Sequence, residues 1–433
     1  MRNPPRSPTV IVGQGYVGLP LARAATDAGV AVIGLDRDGA TVADLNSGRS
    51  HIDDISDDAV GQMLGNGYRV SDDPTVQGDA STIIICVPTP LSDSGGPDLT
   101  AVRSAASSAA EHLSEGTLVI LESTTYPGTT EEEVAPLLET SGLRCGTDFH
   151  LAFSPERVDP GNPTYGITNT PKVVGGVTEE CTAAAVEFYR QFIDRVVPAK
   201  GPREAEMAKL LENTYRHVNI ALVNEMAIFC RELNIDLWDA ISLAATKPFG
   251  YQPFYPGPGV GGHCIPIDPN YLSYKVKTLG YPFRFVELAQ EINNRMPDYV
   301  VTRVMEMLND SGLALSRARV LLLGVTYKPN IADQRESPAE PVARKLLAGG
   351  AEVVYHDPYV DTWSIDGNDV SRQRSMFDVE QEADIAILLT NHREYSVEAL
   401  AETSCPILDT RGALHPKSLP GVTTLLSSSG GAL

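Results

Sequence analysis

The chain has 433 residues, too many for one average domain, and its 42% hydrophobic residues are enough to build two or three cores. Its 34 Lys and Arg against 56 Asp and Glu leave a net charge of −22, which argues against a nucleic-acid partner, because phosphate backbones are bound by clustered cations. A small anionic ligand remains possible, since it needs only a few local donors. The longest apolar runs, 82–87 and 320–325, are strand-sized, well short of the roughly 20 residues that span a bilayer, so no membrane partner is expected. The opening MRNPPRSPT carries no apolar signal stretch. Cysteines at 86, 145, 181, 230, 264 and 405 form no CxxC pair, which argues against a disulfide framework or a zinc cluster. The expectation is a cytoplasmic protein with reduced thiols and no metal site.

Along the chain, apolar β-branched runs at 9–13, 30–36, 82–87 and 117–122 alternate with helical stretches, which predicts a parallel α/β sheet covered on both faces. From Arg203 to about Leu233 no Pro or Gly interrupts the sequence. Met207, Leu210, Leu211, Tyr215, Val218, Leu222 and Met226 recur there at threes and fours, the mark of a helix of about eight turns. So long a helix is a candidate connector and dimer spine. A Gly/Pro-rich loop follows, from Pro248 to Pro269, then more helix. Runs at 319–325, 352–356, 384–389 and 406–409 predict a second α/β unit. The expected fold class is therefore two Rossmann-like, doubly wound parallel-sheet domains joined by a central helical region. The boundaries expected are 1–200, 201–312 and 313–433.

Gly13, Gly15 and Gly18 form a GxGxxG that follows a strand and opens a helix, with Tyr16 and Val17 between the last two. In that setting the first glycine permits the tight turn, the second admits a pyrophosphate, and the third lets helix and strand pack closely. The helix N-terminus then offers N–H groups to phosphate. Asp36 ends the second strand, where a carboxylate accepts from ribose hydroxyls and repels a 2′-phosphate; NAD is the expected cofactor. Arg37 follows directly and softens that preference. Residues 257–269 read GPGVGGHCIPIDP, with four glycines before Cys264 and Asp268 after it. Glycines allow close backbone approach to a ligand, and a cysteine in such a turn is expected to be accessible, with His263 and Lys209 able to lower its pKa. Cys86, Cys181 and Cys230 sit in apolar runs and read as buried small hydrophobes. A loop thiol beside a dinucleotide site suggests oxidation of an alcohol through to an acid. The aldehyde-to-acid step needs a covalent adduct, and a thiohemiacetal that becomes a thioester supplies it.

With GQGYVGLPLA (13–22), CVPTP (86–90), ESTTYPGTT (122–130), FSPERVDPG (153–161), AKLLENTYRHVNIALVNE (208–225), GPGVGGHCIPIDP and YKPNIADQRESP (327–338) in order, the chain resembles the UDP-glucose/GDP-mannose dehydrogenase family from Thr9 to about Leu419. The resemblance implies Cys264 as nucleophile and Lys209 as the amine that stabilises an oxyanion. It implies Asn213 as hydrogen-bonding partner and Asp268 as the acid working with that lysine and a water in the first proton abstraction. It implies Glu156 as activator of the hydrolytic water and Thr125 as the residue positioning water near the nicotinamide. Val87, Pro88, Thr89 and Thr125 are implied around the cofactor. Around the substrate it implies Val158, Tyr255, Gly257, Gly261, Lys328 and Arg335, with the C-terminal domain gripping UDP. That domain lacks a GxGxxG, so a second NAD is not expected there. A homodimer or higher homo-oligomer is implied as well.

SPERVDPGN, NTYRHVN and GGHCIPIDP are similar to the branch acting on UDP-N-acetylhexosamines, where UDP-glucose enzymes usually carry Ser at the position of His263 and Lys or Gln at Ile267. An N-acetyl carbonyl needs a donor, for which Arg157 and Arg216 are candidates, with His217 beside them. UDP-N-acetylglucosamine is the first expectation, then UDP-N-acetylmannosamine or UDP-glucose. The competing readings are a one-step dehydrogenase of a small hydroxy acid and a non-catalytic nucleotide-binding protein.

Overall fold

The computed structural model describes residues 7–52, 55–92, 96–159, 162, 164–262, 265–375, 383–401, 405–414 and 422–424. The chain divides into two compact units: residues up to Glu212 with Asn270–Pro282, and Asn213–Pro269 with Phe283 onward.

The first unit is built on eight strands: β1 (Thr9–Val12), β2 (Val32–Leu35), β3 (Arg69–Ser71), β4 (Thr82–Ile85), β5 (Leu118–Leu121), β6 (His150–Phe153), β7 (Lys172–Gly176) and β8 (Val196–Pro198). Their order across the sheet is β3-β2-β1-β4-β5-β6-β7-β8. Its helices are α1 (Gly18–Asp27), α2 (Gly39–Asn46), α3 (Asp57–Gly65), α4 (Thr100–Glu111), α5 (Ala135–Leu138) and α6 (Glu179–Tyr189). Strand residues alternate between two cores. Ile11, Ile84 and Ile120 pack with Leu19, Ala22, Met63 and Phe188 on one face. Val10, Ile83, Val119 and Leu121 pack with Val102, Ala106 and Leu138 on the other. Both faces are covered, which is why these strands are apolar without interruption. One pairing departs from the all-parallel expectation: β6 and β7 run antiparallel. No helix lies among the described residues between Phe153 and Lys172, and a strand reached without a crossover helix can return antiparallel.

A single helix, α7 (Pro202–Glu232), leaves the first unit and continues through the boundary into the second. Its buried apolar positions include Ala205, Leu210, Ala221, Val223, Ala227 and Cys230, and Glu206, Lys209, Asn213, His217 and Asn224 are buried polar ones, whereas Met207, Leu211, Tyr215, Leu222 and Phe229 are exposed. Then come α8 (Leu237–Ala245), α9 (Asp268–Thr278) and α10 (Arg284–Asp310). The second sheet is built from β9 (Arg319–Leu323), β10 (Glu352–His356), β13 (Ser371–Arg372), β14 (Ile385–Leu388), β15 (Ile407–Asp409) and β16 (Val422–Thr424). Its order is β13-β10-β9-β14-β15-β16, all parallel, while β11 (Ser364–Ile365) and β12 (Asn368–Asp369) form a separate hairpin. Val320 and Leu322 face α10 through Val300 and Val304, and face α11 (Ala339–Ala348) through Val342 and Leu346. Leu321 and Leu323 pack on the opposite side against Tyr395 and Leu400, the latter in α12 (Val397–Ala401). No helix among the described residues is long and apolar enough to cross a membrane.

Candidate active site

At the end of β1, Gly13 takes φ +90°, and a Cβ there would meet the Cys86 carbonyl oxygen at 2.7 Å. Only glycine fits both conditions. A Cβ at Gly18, the first residue of α1, would lie 1.9 Å from the Gly13 oxygen, so this position is fixed by helix–strand packing. At Gly15 a Cβ would meet nothing within 4 Å; this residue faces open space, as a pyrophosphate cradle requires. The Asp36 carboxylate accepts from the backbone N–H of Gln14 at 2.8 Å and of Asp38 at 3.0 Å, and so pins the turn from the neighbouring strand. Tyr16 and Arg37 are exposed, and Val17 is half-buried. After β4 the segment of Val87, Pro88 and Thr89 is tied to the 122–130 stretch. Ser123 Oγ donates to the Val87 carbonyl at 2.7 Å, and Thr89 Oγ1 to that of Thr124 at 2.9 Å. Thr125 is fully buried, and its hydroxyl has no partner among the described residues. An open glycine, a half-buried carboxylate just past the second strand and a buried hydroxyl together fit NAD.

Also in the first unit, Glu156 Oε1 accepts from the amides of Arg157 and Val158. Behind it lies a group the sequence did not reveal. Lys172 Nζ is 3.1 Å from the Glu122 carboxylate and 3.8 Å from that of Glu156, and Tyr189 donates its hydroxyl to Glu122. Burial pushes the Glu122 carboxyl up, and Lys172 only partly offsets this. Burial pulls the Lys172 amine down, but the charges of Glu122 and Glu156 outweigh it and hold the amine above its ordinary value. Burial, then the Glu122 charge, pushes the Cys86 thiol up, so it is a packed thiol and no nucleophile. On α7, Lys209 donates to the backbone carbonyl of Glu156 at 2.6 Å. One turn earlier, Glu206 accepts from Gly128 N at 2.6 Å, Thr130 N at 2.9 Å and Thr130 Oγ1 at 2.7 Å, which anchors the helix to the STTYPGTT loop. Arg157 is committed: its guanidinium pairs with Glu212 at 2.6 Å and donates to the Pro171 carbonyl at 2.6 Å.

In the second unit, Asn213 donates to the Asp268 carboxylate at 2.5 Å, at the first residue of α9. Lys209 and Asn213 stand one turn apart on α7. The loop before α9 hangs on a buried amide chain. Asn224 accepts from Gly257 N and donates to Asn293, each at 2.9 Å. Asn293 in turn donates to the His217 carbonyl at 3.4 Å. Burial pulls His217 down to about 4, so its ring is neutral at pH 7. Gly261 and Gly262 lie close against protein atoms. A Cβ at Gly261 would meet the Glu336 carbonyl at 2.5 Å, and one at Gly262 the Tyr327 ring at 2.7 Å. The glycines thus let this loop lie against the YKPNIADQRESP stretch. Arg411, another residue the sequence did not single out, lies against Gly257, where a Cβ would meet its Nη1 at 2.9 Å. Arg335 pairs with Asp333 at 2.5 Å; Arg216 and Tyr255 are exposed, and Lys328 is half-buried. His263 and Cys264 lie outside the described residues.

Family models for the UDP-glucose/GDP-mannose dehydrogenases match this chain three times. The NAD binding domain matches residues 8–193, the central domain 203–295 and the UDP binding domain 321–416. The chain belongs to this family. It is an NAD-dependent nucleotide-sugar dehydrogenase, and residues 321–416 are its UDP binding domain. The dehydrogenase is 36% identical to the UDP-N-acetyl-D-mannosamine dehydrogenase of Pyrococcus horikoshii over 387 residues, 89% of each chain. It is also 36% identical to the UDP-N-acetyl-D-glucosamine 6-dehydrogenase of Pseudomonas aeruginosa over 356 residues, 81% of this chain and 82% of that one. A solved structure of the Pyrococcus horikoshii UDP-D-ManNAc dehydrogenase superposes with a TM-score of 0.87 at 34% identity, covering 96% of this chain and 99% of the other.

Proposed function

We propose that the enzyme oxidises the C6 alcohol of a UDP-N-acetylhexosamine to the uronic acid, a four-electron reaction, with UDP-N-acetylglucosamine as first candidate and UDP-N-acetylmannosamine as second. The observation that carries this reading is the Asn213–Asp268 hydrogen bond one helical turn from Lys209, which supplies an oriented carboxylate and an amine. Bound NAD supplies a hydride acceptor for each oxidation. Asp268, with Lys209 and a water, takes the alcohol proton. The Cys264 thiolate adds to the aldehyde carbon, and Lys209 stabilises the oxyanion of the resulting thiohemiacetal. Once that adduct is oxidised to a thioester, water attacks its carbonyl carbon and gives a proton to Glu156. The C–S bond breaks and sulfur leaves as thiolate. Thr125, whose buried hydroxyl has no partner among the described residues, positions water. Residues 1–200 carry the cofactor, 201–312 the central machinery and 313–433 the UDP grip.

The acetyl group is supported by relatives named for both N-acetyl sugars. With the Arg157 guanidinium engaged by Glu212 and Pro171, Arg216 is the better donor for the acetyl carbonyl. Purified protein offered UDP-N-acetylglucosamine, UDP-N-acetylmannosamine, UDP-glucose and GDP-mannose should make two NADH per N-acetyl sugar. Cys264→Ala should fall to about one-thousandth of that turnover or less. A ratio of one, or full activity in the variant, would replace this reading with a one-step dehydrogenase.

A homodimer along α7 completes the proposal. Met207, Leu211, Tyr215, Leu222 and Phe229 are exposed at helical spacing, an apolar stripe that a second copy would cover. Sedimentation should give a dimer for the wild type and a monomer for Leu211→Glu/Leu222→Glu; a wild-type monomer would sink the idea.

A further inference from the structure

We propose that Lys172 is a positioning residue for Glu156: its buried amine, held between Glu122 and Tyr189, fixes the Glu156 oxygen that takes a proton from water, so that losing it stalls the enzyme at thioester hydrolysis. The inference rests on the reading of Glu156 as the residue that activates the hydrolytic water.

The topology of the first sheet brings these groups together. Glu122 directly follows β5, and Glu156 comes shortly after β6. These two strands are parallel neighbours, so both acids stand at the C-terminal edge of the sheet, where α/β folds place their ligands. Strand β7 runs the other way, with Phe153 of β6 opposite its Gly175. Its first residue, Lys172, therefore lies at that same edge, and the register, continued past the end of β6, sets Lys172 opposite Glu156. In an all-parallel sheet β7 would begin at the far edge and the amine would be a strand's length away. Lys172 Nζ is 3.1 Å from Glu122 Oε2 and 3.8 Å from Glu156 Oε2. Tyr189, the last residue of α6, donates its hydroxyl to Glu122 Oε1, and its ring centroid lies 5.0 Å from the same amine. The side chains of Lys172 and Glu122 are 6% and 0% exposed and that of Glu156 is 16% exposed, so of the three Glu156 is the one that reaches outward.

The contacts give the two acids different tasks. Both Glu122 oxygens are engaged, Oε1 by Tyr189 and Oε2 by Lys172, so Glu122 serves to hold the amine. On Glu156, Oε1 accepts from the backbone N–H groups of Arg157 and Val158, and Lys209 donates to the backbone carbonyl. Oε2 meets the Lys172 charge at a distance too long for a hydrogen bond, and no other donor among the described residues. The ion pair thus aims Oε2 and leaves its lone pairs for the proton of a water. The amine also separates two like charges. Burial pushes the Glu122 carboxyl up, Lys172 pulls it part of the way back, and the Glu156 charge pushes it up again. Without the amine the two acids would share a proton, and the lone pair that water needs would be spent on Glu122. In the hydrolysis step the water oxygen bonds to the thioester carbon and its proton passes to Glu156 Oε2. The C–S bond breaks, and sulfur leaves with the electron pair as thiolate. Neither hydride transfer uses Glu156, so the loss falls on hydrolysis.

The test mixes full-length protein with NAD and UDP-N-acetylglucosamine or UDP-N-acetylmannosamine, and reads NADH absorbance and the mass of the acid-quenched protein. In Lys172→Met, kcat should fall about a hundredfold, the low end of what a general base contributes. KM should fall with it, leaving kcat/KM within about threefold of wild type, because the steps up to the thioester are intact. NADH should appear as a burst of about two per site, and the quenched protein should carry the uronyl group as a covalent adduct. General damage to packing would lower kcat/KM as well and leave no adduct. Lys172→Met strands a buried Glu122 and can fail to fold. Glu122→Gln/Lys172→Met removes both charges together and should accumulate the same adduct. Adding Lys172→Met to Glu156→Gln should slow acid release by less than about threefold beyond Glu156→Gln alone, since both act on one oxygen. Folded Lys172 variants without adduct, a drop in kcat/KM equal to that in kcat, or additive losses with Glu156→Gln would overturn the proposal. Wild-type turnover by Glu156→Gln, without adduct, would instead overturn the role of Glu156 and the proposal with it.

Discussion

The two sheets open with the same turn and use it differently. In each, the first central strand ends in a left-handed glycine, Gly13 at φ +90° and Gly324 at φ +80°. Each glycine N–H donates to the neighbouring strand, Gly13 to Leu35 at 2.8 Å and Gly324 to His356 at 3.0 Å. In each, an aspartate past that strand takes the N–H of the next residue, Asp36 that of Gln14 and Asp357 that of Val325. The contrast lies beyond the turn. Asp36 is only half-buried, and α1 begins at Gly18, so a carboxylate edge and a helix N-terminus remain available to a dinucleotide. Asp357 is fully buried under His392, and the helix α11 does not begin until Ala339. The loop between carries Lys328 and Arg335, the residues proposed to bind the UDP-sugar. A histidine closes this carboxylate, so the second turn lacks the open carboxylate edge of the first.

The sharpest way to break this comparison is to damage each turn alone. Gly13→Ala would force an alanine into a left-handed conformation, about 1–2 kcal/mol, and press its Cβ to 2.7 Å from a backbone oxygen, which overpacking puts at about 1–3 kcal/mol more. NAD binding should be lost while UDP-sugar binding survives. Gly324→Ala meets the Thr390 oxygen at 2.4 Å and should do the reverse. Fluorescence titration with NADH and calorimetry with UDP-N-acetylglucosamine read the two sites separately. If Gly324→Ala kept normal UDP-sugar binding, the second turn would have no part in the grip.

The same contrast explains what could be read from residues alone. GxGxxG is legible because a glycine's reason is local: a turn, a close approach, an open face. The apolar runs at 9–13, 82–87 and 319–325 are legible because strands covered on both faces leave no polar gap. By contrast, β3 and β8 are three-residue strands too short to carry a pattern. On α7 the spacing of threes and fours reveals the helix. It does not separate buried Leu210 from exposed Leu211, since both faces of this helix are apolar. The Glu122–Lys172–Tyr189 group and the His392–Asp357 pair join residues tens of positions apart, and nothing local marks either one. Gly261 and Gly262 show a reason that the residues alone do not reveal: without a Cβ they let one loop lie close against another.

A smaller effect, of opposite sign in the two units, follows from their buried acids. Burial raises Glu206 to about 7, even though three hydrogen bonds favour its charged form. The folded state therefore holds a proton that the unfolded chain releases near its ordinary value of 4.5. The stability this contributes is complete below 4.5 and is lost as pH rises through about 7. The loss amounts to about 3 kcal/mol at most, at roughly 1.4 kcal/mol per unit. Glu122, also pushed up by burial, acts in the same direction. Asp357 is held below its ordinary 3.8, so its contribution is complete above that value and fades only as pH falls through the lowered one. Acidifying from pH 7 to 5 should therefore tighten the loop at 128–130. The segment at 325–330 should stay unchanged, because the Asp357 carboxyl is held below this range. Hydrogen exchange, corrected for intrinsic rates, reads both in one sample. Glu206→Gln removes the titrating group and should flatten the response at 128–130 without touching 325–330. Protection that moved the same way in both segments would mean that net charge, not these two local environments, governs how the molecule answers to pH.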